Sequence, residues 1–221
     1  MLNNKEQFGN ITTKKEAFII IHMKNKIPHI YESITGWFSF QDFYSLIVKK
    51  FPSGSRLVEV GTYYGCSFSY LVIESLNAGK VFDIVGIDAA PEGWGVEENF
   101  DKNMKPFEGK YRKMFGGNSF DRIKEFEDES VDFMFIDANH TYEFVIRDIQ
   151  AALPKMKPGG IIAGHDFNGA HPGVVQAVIE SFIGDINLGR EGAYHKPNTA
   201  DGKPGKRLEY LKGQDVWIVQ L

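Results

Sequence analysis

From Arg56 onward the chain alternates between short apolar runs and longer amphipathic stretches. "RLVEVG" is followed by "SFSYLVIESLNAG", "VFDIVGIDA" by "EENFDKNMKPF", and "YRKMFGG" by "NSFDRIKEF". The alternation continues through "VDFMFIDA", "YEFVIRDIQAALPKM", "GGIIAGHDF" and "PGVVQAVIESFIG". Apolar runs joined by segments of helical period predict a parallel sheet covered on both faces. Ahead of it the pattern is helical to about residue 52. There "FQDFYSLIVKKF" sets Phe40, Phe43, Tyr44, Ile47, Val48 and Phe51 on one face, and Pro52 with Gly54 ends it. At the other end "DINLGR" and "DVWIVQL" flank a Gly-, Pro- and Lys-rich loop and are expected to pair as an antiparallel hairpin. The expectation is a single α/β domain, doubly wound, with a mostly parallel sheet of seven strands over residues 53–221 and an N-terminal helical cap over 1–52.

The length of 221 residues suits one domain, and 43% hydrophobic with 14% aromatic residues supplies a sizeable core. A net charge of −4 leaves no excess of Lys and Arg to neutralise phosphates, so nucleic acid is not an expected partner. Cys66, the single cysteine, allows no internal disulfide, which points to a cytoplasmic home. In "KKEAFIIIHMKNK" the apolar run is too short for a signal core or a membrane span and is closed by Lys24 and Lys26, so no membrane is expected either.

"LVEVGTYYGCSFSYL" carries the first chemistry. Its strand turns at Gly61 and Gly65 and enters a helix near Ser67, a place where backbone N–H groups are free and a ligand can approach closely. A dinucleotide loop would have a second glycine where Tyr63 stands, so a ligand without a diphosphate is expected. Glu59 would repel phosphate and pair with a cationic amino group. The next strand ends at Asp88, placed to take both hydroxyls of a ribose, as in Rossmann-like folds.

The fourth and fifth strands end in "DANH" and "GHDF". Asp137, His140, His165 and Asp166 should therefore converge at the C-terminal edge of the sheet, where such folds bind ligands. Two carboxylates and an imidazole, Asp137, His165 and Asp166, form a plausible divalent-metal set, the imidazole shifting preference from Mg²⁺ toward softer ions. His140, with an ordinary pKa of about 6.5, suits removal of a hydroxyl proton near neutrality and is the candidate general base beside Asp137.

The stretch "EVGTYYGCS", followed by Asp88 and then by "GGNS" after a third strand, resembles the cofactor motifs of class I S-adenosylmethionine-dependent methyltransferases, in particular the catechol O-methyltransferase-like branch, over about residues 55–190. The resemblance implies that Glu59, Gly61 and Tyr63, with Gly65 in the same loop, surround the methionine part of the cofactor and that Ser67 meets its carboxylate. It further implies that Asp88 holds the ribose, that Asn118 and Ser119 border the adenine, and that a divalent cation, Mg²⁺ or Mn²⁺, sits at the strand-end acids. The branch has an acid and an amide where this chain has His165 and Asp166.

The implied activity is methyl transfer to a hydroxyl of a small molecule: a sugar, a natural product or an aromatic. The acceptor would be chosen by irregular pieces: the cap with Trp37, "APEGWGVEE" with Trp94, "NGAHPG" with His171, and the loop bearing Lys196, Lys203, Lys206, Arg207 and Lys212. A nicotinamide-dependent oxidoreductase and a non-catalytic nucleoside-binding protein are the alternatives, and a homodimer is an open expectation.

Overall fold

The structure, a computed structural model, describes residues 26–183, 193–195 and 207–221. Its strands are β1 (Arg56–Val60), β2 (Asp83–Asp88), β3 (Arg112–Phe115), β4 (Val131–Ile136), β5 (Met156–Gly164), β6 (Ala193–His195), β7 (Arg207–Leu211) and β8 (Val216–Gln220). They form one sheet in the order β3-β2-β1-β4-β5-β8-β7-β6. The first five strands pair in parallel, and β8 joins β5 antiparallel. This is the expected mostly parallel, seven-stranded arrangement, with the three-residue β6 added beyond β7 as an eighth strand at the edge.

The helices are α1 (Gln41–Lys50), α2 (Cys66–Asn77), α3 (Val96–Met104), α4 (Ser119–Lys124), α5 (Tyr142–Ala152) and α6 (Pro172–Phe182). Alternation along the strands divides the core in two. Leu57 of β1 with Phe133 and Phe135 of β4 pack against α1, α2 and α3 through Tyr44, Phe68, Leu71 and Phe100. Val58, Val60, Met134 and Ile136 point the other way, onto α4, α5 and α6 through Ile123, Ile149 and Val178. A strand buried on both faces must be apolar at every position. Glu59, at 1% exposure and on the α1 and α2 side, is the exception that marks a site.

Two expectations are corrected. The N-terminal segment is not helical throughout: within residues 26–52 a single 3-10 turn (Tyr31–Ser33) precedes α1, and residues 34–40 are irregular. Gly36 at φ +158 and the packing of Phe38 edge-on to Phe40, 4.8 Å between ring centres, favour an extended path there. The hairpin is made by β7 with β8, so "RLEYL", which the Lys- and Gly-rich composition had assigned to the loop, is a strand. "DINLGR", Lys24, Lys196, Lys203 and Lys206 lie outside the described residues, as does most of the signal-like segment.

The cap is tied to the sheet by Lys80. Its ammonium donates to the carbonyls of Val48, Lys49 and Phe51 at 2.7, 2.9 and 2.7 Å, satisfying the open C-terminal end of α1, where a cation also suits the helix dipole. Lys80→Met should cost about 2 kcal/mol, lowering the melting temperature by roughly 4–8 °C, because charge-assisted bonds to otherwise unpaired carbonyls are lost. A melting temperature within 1 °C of wild type by calorimetry would contradict this role for Lys80.

Candidate functional site

The parallel strands β2, β1 and β4 lie side by side, so the residues at their C-terminal ends meet at one edge. Glu59 sits one residue before the end of β1. It accepts hydrogen bonds from Tyr44 Oη at 2.7 Å and from Ser67 Oγ at 2.6 Å. Burial pushes its carboxyl up to about 8, the two hydroxyls pull it back, and the nearby charges of Asp137 and Asp88 push it up again. The site therefore holds a buried acid that a cationic group would stabilise in its ionised form. Ser67, expected against a carboxylate, here supports Glu59. Tyr44, read from the sequence only as part of a packing face, is its second support, and nothing in the helical spacing distinguishes it from its apolar neighbours.

Asp88 closes β2 and is held at both oxygens. Tyr63 N donates to Oδ2 at 2.7 Å and Ala90 N to Oδ1 at 2.8 Å, so the carboxylate joins the glycine loop to the second strand in a fixed orientation. Tyr63 adopts φ +47, which turns its N–H toward Asp88, and its ring stacks on Tyr64 at 3.9 Å. Gly65, at φ +89, is the residue before α2 and gives that helix its start. Gly61 has a different reason for being glycine: a Cβ there would lie 1.9 Å from the carbonyl oxygen of Asp137. The two chain segments leaving β1 and β4 approach closely at this point, with Asp137 N donating to Val60 O at 2.7 Å.

Asn118 and Ser119 begin α4 beyond the Gly116–Gly117 turn. Asn118 is exposed, whereas Ser119 is buried and donates to Asp148 Oδ1 at 2.6 Å. Burial raises the Asp148 carboxyl to about 6, with its other oxygen unpartnered. Cys66 is buried, its thiol pushed up to about 11 by burial first and by Glu59 second, so it has little thiolate character.

At the ends of β4 and β5 the structure brings together the four residues the sequence singled out. His165 Nδ1 lies 3.4 Å from Asp166 Oδ1 and 3.8 Å from Asp137 Oδ2, while its Nε2 meets Ser39 Oγ at 3.2 Å. The donor atoms of Asp137, His165 and Asp166 all lie within 4.8 Å of one another. Ligands adjacent on an ion with bonds of about 2.1 Å stand about 3 Å apart, so this set suits a divalent cation in spacing and in donor type. His140 Nε2 lies 3.0 Å from Asp166 Oδ2 and 3.7 Å from Asp137 Oδ1, and hydrogen bonding to the two acids holds the imidazole up at about 9. The same histidines hold Asp166 well below the usual carboxylate range against the opposing pull of burial. Asp166 itself is left-handed, φ +59, a conformation that costs energy outside glycine. Beside it a cavity of about 550 Å³ is lined by Asn139, His140, Thr141, His171 and the start of α6.

Residues 58–167 match the family described as "Methyltransferase domain". Two curated relatives, both uncharacterized proteins, come from Sinorhizobium fredii, 22% identical over 73% of this chain, and from Acanthamoeba polyphaga mimivirus, 27% identical over 75% of it. The aligned region is 18% of the length of the first and 71% of the second. Among solved structures, a Corynebacterium glutamicum protein superposes with a TM-score of 0.57 at 12% identity, covering 95% of this chain and 91% of its own. A Bacillus cereus O-methyltransferase in complex with SAH gives 0.54 at 18% identity, covering 98% and 94%. CalS11, a TDP-rhamnose 3′-O-methyltransferase, gives 0.52 at 15% identity, covering 96% and 87%. At these identities the structures are similar in fold. No helix among the described residues is long and apolar enough to cross a membrane.

Proposed function

We propose, from the match of residues 58–167 to a methyltransferase domain, that the protein is a class I, S-adenosylmethionine-dependent methyltransferase that methylates a hydroxyl of a small molecule with the help of a divalent cation. The observation that carries the cofactor half is the convergence of Glu59, Asp88 and the glycine loop at one sheet edge, with the Asp88 carboxylate oriented by two backbone N–H groups.

In this reading Glu59 receives the amino group of the cofactor. A buried carboxyl that ionises only near pH 8 gains most from a fixed cationic partner. Asp88 has one lone-pair direction on each oxygen committed to the backbone and turns the remainder toward the two ribose hydroxyls. Asn118 and Ser119 border the adenine.

The acceptor enters the cavity beside His140, whose imidazole is held protonated by Asp137 and Asp166 and would take the hydroxyl proton once a cation neutralises those two acids. Asp137, His165 and Asp166 would hold the cation, which, when bound, supplies Lewis acidity that makes an acceptor hydroxyl easier to deprotonate. Ser39, bonded to Nε2 of His165, holds the ring in the orientation that leaves Nδ1 facing the carboxylates. Alignment of the acceptor is the largest contribution asked of the protein, since displacement at a methyl group is sensitive to the line of approach.

Calorimetric titration with S-adenosylhomocysteine tests the cofactor half. Wild type should bind in the micromolar range. Asp88→Ala should weaken binding by at least ~100-fold, because two charge-assisted ribose bonds are lost. Absence of binding by wild type at high protein concentration would refute the proposal. A pyrophosphate ligand finds less support, because Tyr63 occupies the position of the middle glycine and its N–H is already used by Asp88.

A further inference from the structure

A second group of donors lies partly outside the set marked by the sequence. His171 stands at the start of α6, and its Nε2 is 3.5 Å from Asp166 Oδ1, while His140 Nε2 is 3.0 Å from Asp166 Oδ2. The donor atoms of the three residues lie within 4.8 Å of one another, and the two imidazoles meet edge-on at 4.6 Å between ring centres. The approach is built into the backbone. A Cβ at Gly173 would fall 2.7 Å from the carbonyl oxygen of His140 and 2.6 Å from Tyr142 N, so glycine there lets the first turn of α6 press onto the loop after β4. Both rings border the cavity, which gives a small ion a route in.

We propose that His140, Asp166 and His171 form a second divalent-cation site, joined to the Asp137–His165–Asp166 set through the Asp166 carboxylate. Two imidazoles and one carboxylate favour Zn²⁺, Co²⁺ or Ni²⁺, whereas Mg²⁺ prefers an all-oxygen shell. Oδ2 of Asp166 faces His140 of this site, and Oδ1 lies between His165 of the first set and His171 of this one, so the carboxylate is the group the two sets share. The consequence for transfer rests on the methyltransferase reading. An ion at this site takes the Nε2 lone pair of His140, so the same imidazole does not then accept the acceptor's proton. Filling the second site should therefore suppress turnover.

The test is equilibrium dialysis of the full chain against Co²⁺, with visible absorption to report imidazole coordination. Comparison is with His171→Asn, which removes the imidazole while keeping a residue suited to a helix start. Wild type should hold one more equivalent of Co²⁺ than His171→Asn, and His140→Asn should lose the same equivalent. Equal stoichiometry in wild type and His171→Asn, including the case where neither takes up the ion, overturns the proposal. S-adenosylhomocysteine binding, measured on the same samples, confirms that each variant is folded and reports separately on the cofactor reading. With Zn²⁺, inhibition of wild-type turnover should need at least ~10-fold more metal in His171→Asn.

Discussion

Replacing Glu59 with glutamine should make the protein more stable in alkaline solution while weakening its grip on the cofactor. Folded, Glu59 keeps its proton up to about pH 8, whereas an exposed glutamate releases it near 4.3. Between these values the folded chain binds a proton that the unfolded chain has lost. Stability accordingly falls as pH rises through the window, and the full cost is present above about 8. Glutamine has no proton to lose, and the hydroxyls of Tyr44 and Ser67 can reorient toward its amide. Urea denaturation should show the wild-type free energy falling between pH 5 and 9 by on the order of a few kcal/mol more than that of Glu59→Gln. On the proposed function the same variant should bind S-adenosylhomocysteine roughly 10–100-fold more weakly, since the amino group would lose a partner that can ionise against it. Parallel pH profiles would show that Glu59 is ionised in the folded protein throughout.

The second large effect is expected at Gly61. A methyl group there meets the Asp137 carbonyl at 1.9 Å, and φ is +93, so both space and backbone oppose it. The neighbouring chain has little room to retreat, because Asp137 N is bonded to Val60 O within the sheet. Gly61→Ala should cost more than ~4 kcal/mol, enough to lower the melting temperature by more than ~10 °C or to prevent accumulation of folded protein. Gly54→Ala provides the comparison. It has φ +90 with open space around it, so it should show only the backbone cost of about 1 kcal/mol. Equal effects at the two positions would mean that the close approach relaxes and that steric contact is not what requires glycine at 61.

The alternation of apolar runs and helical segments was enough to read β1 to β5 and their covering helices, because burial on both faces leaves no polar positions to confuse the period. The strand-end acids were legible for the same reason: Glu59, Asp88 and Asp137 interrupt or close runs that are otherwise apolar. The sequence does not separate two causes for one residue type. Gly61 looked like an opening for a ligand, and the structure adds a close approach of backbone to backbone. "RLEYL" was hidden by its Lys- and Gly-rich surroundings, although Leu208 to Leu211 pair in register with Val219 to Val216 of β8. Tyr44 lies 15 positions before Glu59 and Ser39 lies 126 before His165, and no local pattern announces that one reaches the carboxyl and the other the imidazole. His171 had a visible cue, an imidazole in the turn after the fifth strand, but its contact with His140 is made only by folding.

The bond between Ser39 and His165 joins residues 126 positions apart. On a ribosome the serine emerges long before its partner has been synthesised, and β5 finds its antiparallel neighbour only when β8 follows. The imidazole can thus be oriented by the cap only once the strand that carries it has followed the cap out of the ribosome.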